Sequence, residues 1–291
     1  MKIVRKILLP LSSAQNAEAA FILGRNMARR FNAHLAVLHV SPDGRDIAPL
    51  AGEGLTGGMV EELMSAAERE GSKRTRAVHH AFETFAERSG IAVVAPRIPF
   101  PQDEPSMSFN IIKGSESEIV PWHARLSDFT LVPHPDSGDE ISSSEALHAV
   151  LFDSGRPAVI APREPMTHMV KRVAIAWNGT AEAASALRGV LAWASTAERV
   201  RVLHCGDYQR RGPSAREVID YLSMHDIAAD RVEFSPIDRD VGRGLLGACS
   251  DFGADMLAMG AYSHSRLRQL ILGGVTRHVL EEATLPVLMS R

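Results

Sequence analysis

The chain is poor in several residue types, and each shortage removes a class of protein. Only Cys205 and Cys249 are present, which rules out a disulfide framework and fits a reducing compartment. Aromatic residues make up 5% of the chain, too few to line a groove that stacks single-stranded nucleic acid. No charge of one sign prevails: 35 acidic and 32 basic side chains leave a formal net charge of −3, so no overall field draws the chain to nucleic acid or anionic lipid. No stretch approaches the roughly 20 apolar residues that span a bilayer. The opening Met1 to Lys6 has the basic character of a signal n-region, but the apolar run Ile7-Leu8-Leu9 stops at Pro10. A leader is therefore not expected, and cytoplasm is the expected location. Walker A, H-E-x-x-H and paired C-x-x-C patterns are missing as well.

What is present is a soluble-protein mixture, 45% apolar and 23% charged over 291 residues, enough for two domains of ordinary size. The chain also reads twice. Lys6 to Ser12 is a short apolar run ending in small polar residues, followed by an Ala-rich helical pattern from about Asn16 to Phe31 and a second apolar run, Ala33 to Val40. The same order returns as Arg172 to Thr180, a helix through Ala194, and Val200 to Cys205. Leu38-His39 and Leu203-His204 take equivalent places, and Gly155 to Pro162 mirrors Thr284 to Met289. Between these landmarks the first half is expected to carry a helix over 59–88, strands over 91–95 and 129–132, and a helix over 116–127. The second half is expected to carry helices over 215–225 and 242–252 and strands over 231–236 and 256–259. The stretches 41–58 and 96–114 read as insertions, the latter broken by prolines. Alternating strands and helices call for parallel sheets covered on both faces. The fold expected is α/β, two tandem doubly wound parallel-sheet domains over 1–165 and 170–291.

After the strand 256–259 come Gly260, Ser263 and the pair Gly273-Gly274, then Val275, Thr276 and a helical run. A strand leaving the carboxyl edge of a parallel sheet, followed by glycines at a helix start, suits an anion: the backbone can approach it, and free N–H groups and the helix dipole favour negative charge. Thr276 could add a hydroxyl or a cap, and Val275 suits packing. The segment resembles the signature of the universal stress protein family: Gly, two residues, Gly, nine residues, then Gly followed by Ser or Thr. Gly260 and Gly273 match it, whereas Ser263 stands for the second glycine and Gly274 for the Ser or Thr. The similarity extends over both repeats.

That resemblance implies an adenine nucleotide alpha hydrolase-like fold and a stress-response role. It also implies ATP or another adenine nucleotide bound in the second domain, Mg²⁺ accompanying it, and no catalysis. It places Asn178 where an acidic residue faces the adenosine, and Cys205 beside the adenine. It implies pairing through the last strand of each repeat, Ala158–Ala161 and Val287–Met289, within the chain, between two copies in a homodimer, or both. In the first repeat Ser12 takes the acidic position and Ser144-Glu145 the phosphate position, where a carboxylate would repel phosphate. A slow ATP hydrolase and a nucleotide-free scaffold for a protein or small metabolite stay open as alternatives. His79-His80 read as a solvated helix face, His39 and His204 as ties at strand ends, and Trp122, Trp177 and Trp193 as core anchors.

Overall fold

The computed structural model describes residues 4–15, 17–41, 57–96, 103–134, 145–262 and 274–291. They divide into two compact units, one spanning Met1–Pro133 and Glu145–Ser154, the other His134–Ser144 and Gly155–Arg291. Among the described residues no helix is long and apolar enough to cross a membrane.

The first unit contains β1 (Lys6–Pro10), α1 (Ala17–Phe31), β2 (His34–Ser41), α2 (Gly57–Ser89), β3 (Ala92–Val93), β4 (Ser106–Lys113), α3 (Glu116–Arg125), β5 (Phe129–Val132) and α4 (Glu145–Asp153). Its strands run in the order β3-β4-β2-β1-β5, and the pairs β1–β2, β1–β5, β2–β4 and β3–β4 are all parallel. β1 is buried over Ile7–Pro10, as its unbroken apolar run demands of a strand covered on both faces. Phe21 of α1 stacks on Phe85 of α2 at 4.8 Å, and Phe82 stacks on Phe109 of β4 at 5.1 Å. These rings seal the helices onto the sheet.

β4 corrects the sequence reading, which treated 96–114 as an insertion broken by prolines. All eight of its residues pair with β2, from His34↔Ser106 to Ser41↔Lys113. The prolines lie before the strand, and the polar Ser106 and Ser108 disguised it. Both serines are buried, and their hydroxyls bond the two ring nitrogens of His34 at 2.9 Å.

The second unit begins with β6 (Ala158–Ile160), followed by β7 (Arg172–Trp177), α5 (Ala181–Ala194), β8 (Arg199–His204) and α6 (Ala215–Ser223). β9 (Ala229–Glu233), α7 (Val241–Phe252), β10 (Met256–Gly260), α8 (Gly274–Glu282) and β11 (Val287–Ser290) complete it. Its strand order is β6-β11-β10-β7-β8-β9. Every pair is parallel except β6 with β11, which run antiparallel with Val287↔Ile160, Leu288↔Val159 and Met289↔Ala158. The strand ending the first repeat thus pairs with the strand ending the second inside one chain, and the contacts divide before β6.

Sequence signals explain the helix limits. Ser214 and Glu217 form a capping box at the start of α6, Asp240 caps α7 through the N–H groups of Gly242 and Arg243, and Gly253 ends α7 in the left-handed region. The repeat extends to a detail that the motifs did not reveal. Asp128 Oδ2 accepts the N–H groups of Arg5 and Lys6 at 2.6 and 2.9 Å, and Asp255 Oδ2 accepts those of Lys171 and Arg172, both at 2.8 Å. Each aspartate fastens the strand it precedes to the first strand of its own repeat.

Trp193 and Trp177 are buried as expected, but Trp122 is 61% exposed. Helix α3 buries Ile119, Val120, Pro121 and Ala124 instead, which leaves position 122 on the opposite side. His79 and His80 are exposed on α2, as expected of a solvated face.

Candidate functional site

In the second unit the strand order turns back between β7 and β10: β7, β8 and β9 succeed one another in one direction, β10 and β11 in the other. Chain connections to the two sides leave a crevice at the carboxyl ends of such strands, where open α/β sheets take ligands. Register brings those ends level, with Trp177 opposite His204 and Ala258 opposite Ile175. Asn178, Cys205 and Gly260 therefore share one sheet edge.

Asn178 follows β7 directly. Its Oδ1 accepts the Thr180 N–H at 3.2 Å and the Thr180 hydroxyl at 2.9 Å, while Thr180 Oγ1 in turn accepts the Ala183 N–H and caps α5. The turn is an Asx turn that launches the helix. Gly179 between them has φ +84°, and the loop after β8 leaves no room for a side chain: a Cβ there would lie 2.5 Å from Gln209 Nε2 and 3.0 Å from Arg210 O. Arg210 N–H donates to Asn178 O at 2.7 Å, and the Trp177 indole N–H donates to Pro213 O at 2.8 Å. Residues 209–213 are thereby tied along the end of β7, a contact that sequence reasoning missed. The Asn178 oxygen serves the turn.

Cys205 is buried and precedes a single 3₁₀ turn, Gly206–Tyr208. That matches a small hydrophobe closing a strand. Gly260 ends β10 and abuts the first turn of α5, where a Cβ would stand 2.5 Å from Ala183 N and 2.6 Å from Glu182 C. The glycine is thus required by helix–strand contact, whatever binds nearby.

Tyr262, two residues on, was not singled out from the sequence. Its φ of +60° is uncommon for a residue with a side chain, and burial pushes its phenol up to about 12. No sequence signal beyond its place in the motif marks it.

Ser263 and Gly273 lie outside the described residues. Gly274 opens α8 and is exposed, and among the described residues a Cβ placed on it would meet nothing within 4 Å. Val275 is half-buried and Thr276 buried in the same turn, so Thr276 packs inward. Helix α8 is held to α7 by His278, whose Nδ1 lies 3.0 Å from Asp240 Oδ2. The Arg243 N–H foremost, with the Gly242 N–H and His278 adding to it, holds the Asp240 carboxyl below its ordinary value. Gly242 permits the approach, since a Cβ on it would fall 2.7 Å from that of His278. Among the described residues no cluster of three or more His, Cys, Asp or Glu could hold a metal.

The first unit fills its equivalent edge differently. His39 is fully buried, with Nδ1 2.6 Å from Leu11 O and Nε2 3.0 Å from Thr75 Oγ1. Burial lowers its pKa, and because a carbonyl oxygen only accepts, Nδ1 donates to Leu11 O. It is the tie at the strand end that the sequence suggested. Ser12 is exposed there, and Ser144 lies outside the described residues.

Residues 169–291 match the model of the Universal stress protein family. A universal stress protein of Synechocystis is 23% identical over 146 residues, and the match spans half of this chain and half of that protein. The fold is similar over nearly the whole chain to two crystal structures. One is a universal stress protein from Archaeoglobus fulgidus, with a TM-score of 0.62, 15% identity and 98% of each chain covered. The other is a protein of unknown function from Pseudomonas aeruginosa, with a TM-score of 0.54, 14% identity, and 99% of this chain and 93% of that one covered.

Proposed function

With residues 169–291 a universal stress protein domain, we propose that the chain is a stress-response regulatory protein that binds an adenine nucleotide at the β7/β10 edge and does not turn it over. The observation that carries this reading is Gly274. It opens α8, where a Cβ added to it would meet no atom of the described residues within 4 Å, it follows Gly273 at the signature distance from Gly260, and it belongs to a helix whose first N–H groups suit phosphate. The Nδ2 of Asn178 would meet an acceptor on the adenosine, and Val275 would pack beside it. Mg²⁺ would arrive on the phosphates, since no carboxylate cluster of the described residues is built for it.

The test is calorimetric titration of nucleotide-stripped protein with MgATP, alongside Gly274→Asp and Gly274→Ser. Clearance from the described residues makes both substitutions tolerable, and an aspartate in the first turn suits the helix dipole. The expected results are one site per chain, loss of binding in the aspartate variant with its folding intact, and retained or tighter binding in the serine variant. No heat and no thermal shift for the unaltered chain would overturn the reading in favour of a nucleotide-free scaffold.

A further inference from the structure

Helix α2 has 33 residues, whereas α6, its counterpart in the second repeat, has nine. The C-terminal half of α2 is fastened by Val78, Phe82 and Phe85, but none of residues 58–70 is buried. Three to four turns of helix without packing are marginal in water, and Met59 and Leu63 stand 50% and 48% exposed there.

The exposed residues of α2 carry a regular seam. Leu63, Ala66, Glu70, Lys73, Ala77 and His80 are all exposed, spaced alternately three and four apart, the period of about 3.5 that keeps residues on one line of contact between two helices. This seam is complementary to itself when reversed. About a twofold axis between residues 71 and 72, Glu70 of one helix meets Lys73 of the other and the reverse, Ala66 meets Ala77, and Leu63 meets His80. The alanines permit close approach, and opposite charges sit at the centre, where register is decided.

We infer that α2 is an interface between two copies of this chain, packed as an antiparallel helix pair centred on reciprocal Glu70–Lys73 contacts. The β6–β11 pairing has already used the edge of the terminal strand within the chain, so association of two copies falls to another surface.

Light scattering on the size-separated full chain is expected to give twice the chain mass. Glu70→Lys and Lys73→Glu each set like charges against one another at both central contacts and are expected to raise the dimer dissociation constant at least about tenfold. An equimolar mixture of the two variants restores opposite charges at both contacts and is expected to restore the dimer, as is the double swap in a single chain. Rescue distinguishes a lost contact from a damaged helix. A monomeric unaltered chain, single variants that remain dimers, or a mixture that stays monomeric would each overturn the inference.

Discussion

Gly260 and Gly274 belong to one motif, yet the structure assigns them opposite tolerances to a methyl group. At Gly260 an added Cβ would stand 2.5 Å from Ala183 N, 2.6 Å from Glu182 C and 2.9 Å from Glu182 Cβ, against ordinary contacts of about 3.5–4 Å. Two of the three obstacles are backbone, so relief requires moving the first turn of α5 by about an ångström. That turn is pinned by the Thr180 cap on the same Ala183 N–H. Overpacking costs about 1–3 kcal/mol and loss of the cap about 1 kcal/mol, so Gly260→Ala should destabilise the second unit by about 2–4 kcal/mol. At Gly274 a Cβ would meet nothing within 4 Å among the described residues, and alanine gains helix propensity of at most about 1 kcal/mol, so Gly274→Ala should be neutral or slightly stabilising. Urea denaturation followed by tryptophan fluorescence and circular dichroism separates the two. A Gly260→Ala variant that keeps its stability but loses nucleotide would refute the packing argument and make that glycine a ligand contact.

Three further outcomes follow from the geometry. Both amides held by Asp255 fall on one oxygen, so Asp255→Asn can keep both hydrogen bonds and should cost about 1 kcal/mol, whereas Asp255→Ala loses both and should cost about 3 kcal/mol; equal costs in denaturant melts would contradict this account. His34 is lowered from 6.5 to about 4, chiefly by burial and then by Lys6. The unfolded chain therefore binds the extra proton between those values, and the contribution is full above about pH 6.5 and is lost as pH falls towards 4. Discounted for partial exposure, this amounts to roughly 2 kcal/mol, and in His34→Gln the decline in melting temperature over that range should flatten. Trp177→Phe deletes the donor to Pro213 O. It should cost about 1 kcal/mol and speed amide exchange at Arg210, and unchanged exchange would show that the loop is held by its other contacts.

Local signals were sufficient for much of this molecule. The apolar runs of β1, β5, β7 and β10, the Ala-rich α1 and α5, and the recurrence of the whole order placed two parallel α/β units without any knowledge of contacts, because buried parallel strands and the helices between them leave strong periodic marks. β4 escaped because its polar serines bond to His34, which lies 72 residues away from Ser106, and no local pattern records such a partner.

At the candidate site the sequence by itself determined which residues gather at one sheet edge: Asn178, Cys205 and Gly260 each end a strand, and strand ends of a parallel sheet fall together. Tertiary structure alone decided what they do there. It turned the Asn178 oxygen into the start of α5, pressed Gly260 against the same helix, closed Cys205 from solvent, laid residues 209–213 along β7, and left Gly274 clear of the other described residues. Those outcomes depend on distances between segments far apart in the chain, whereas periodicity and spacing report only what neighbouring residues require of one another.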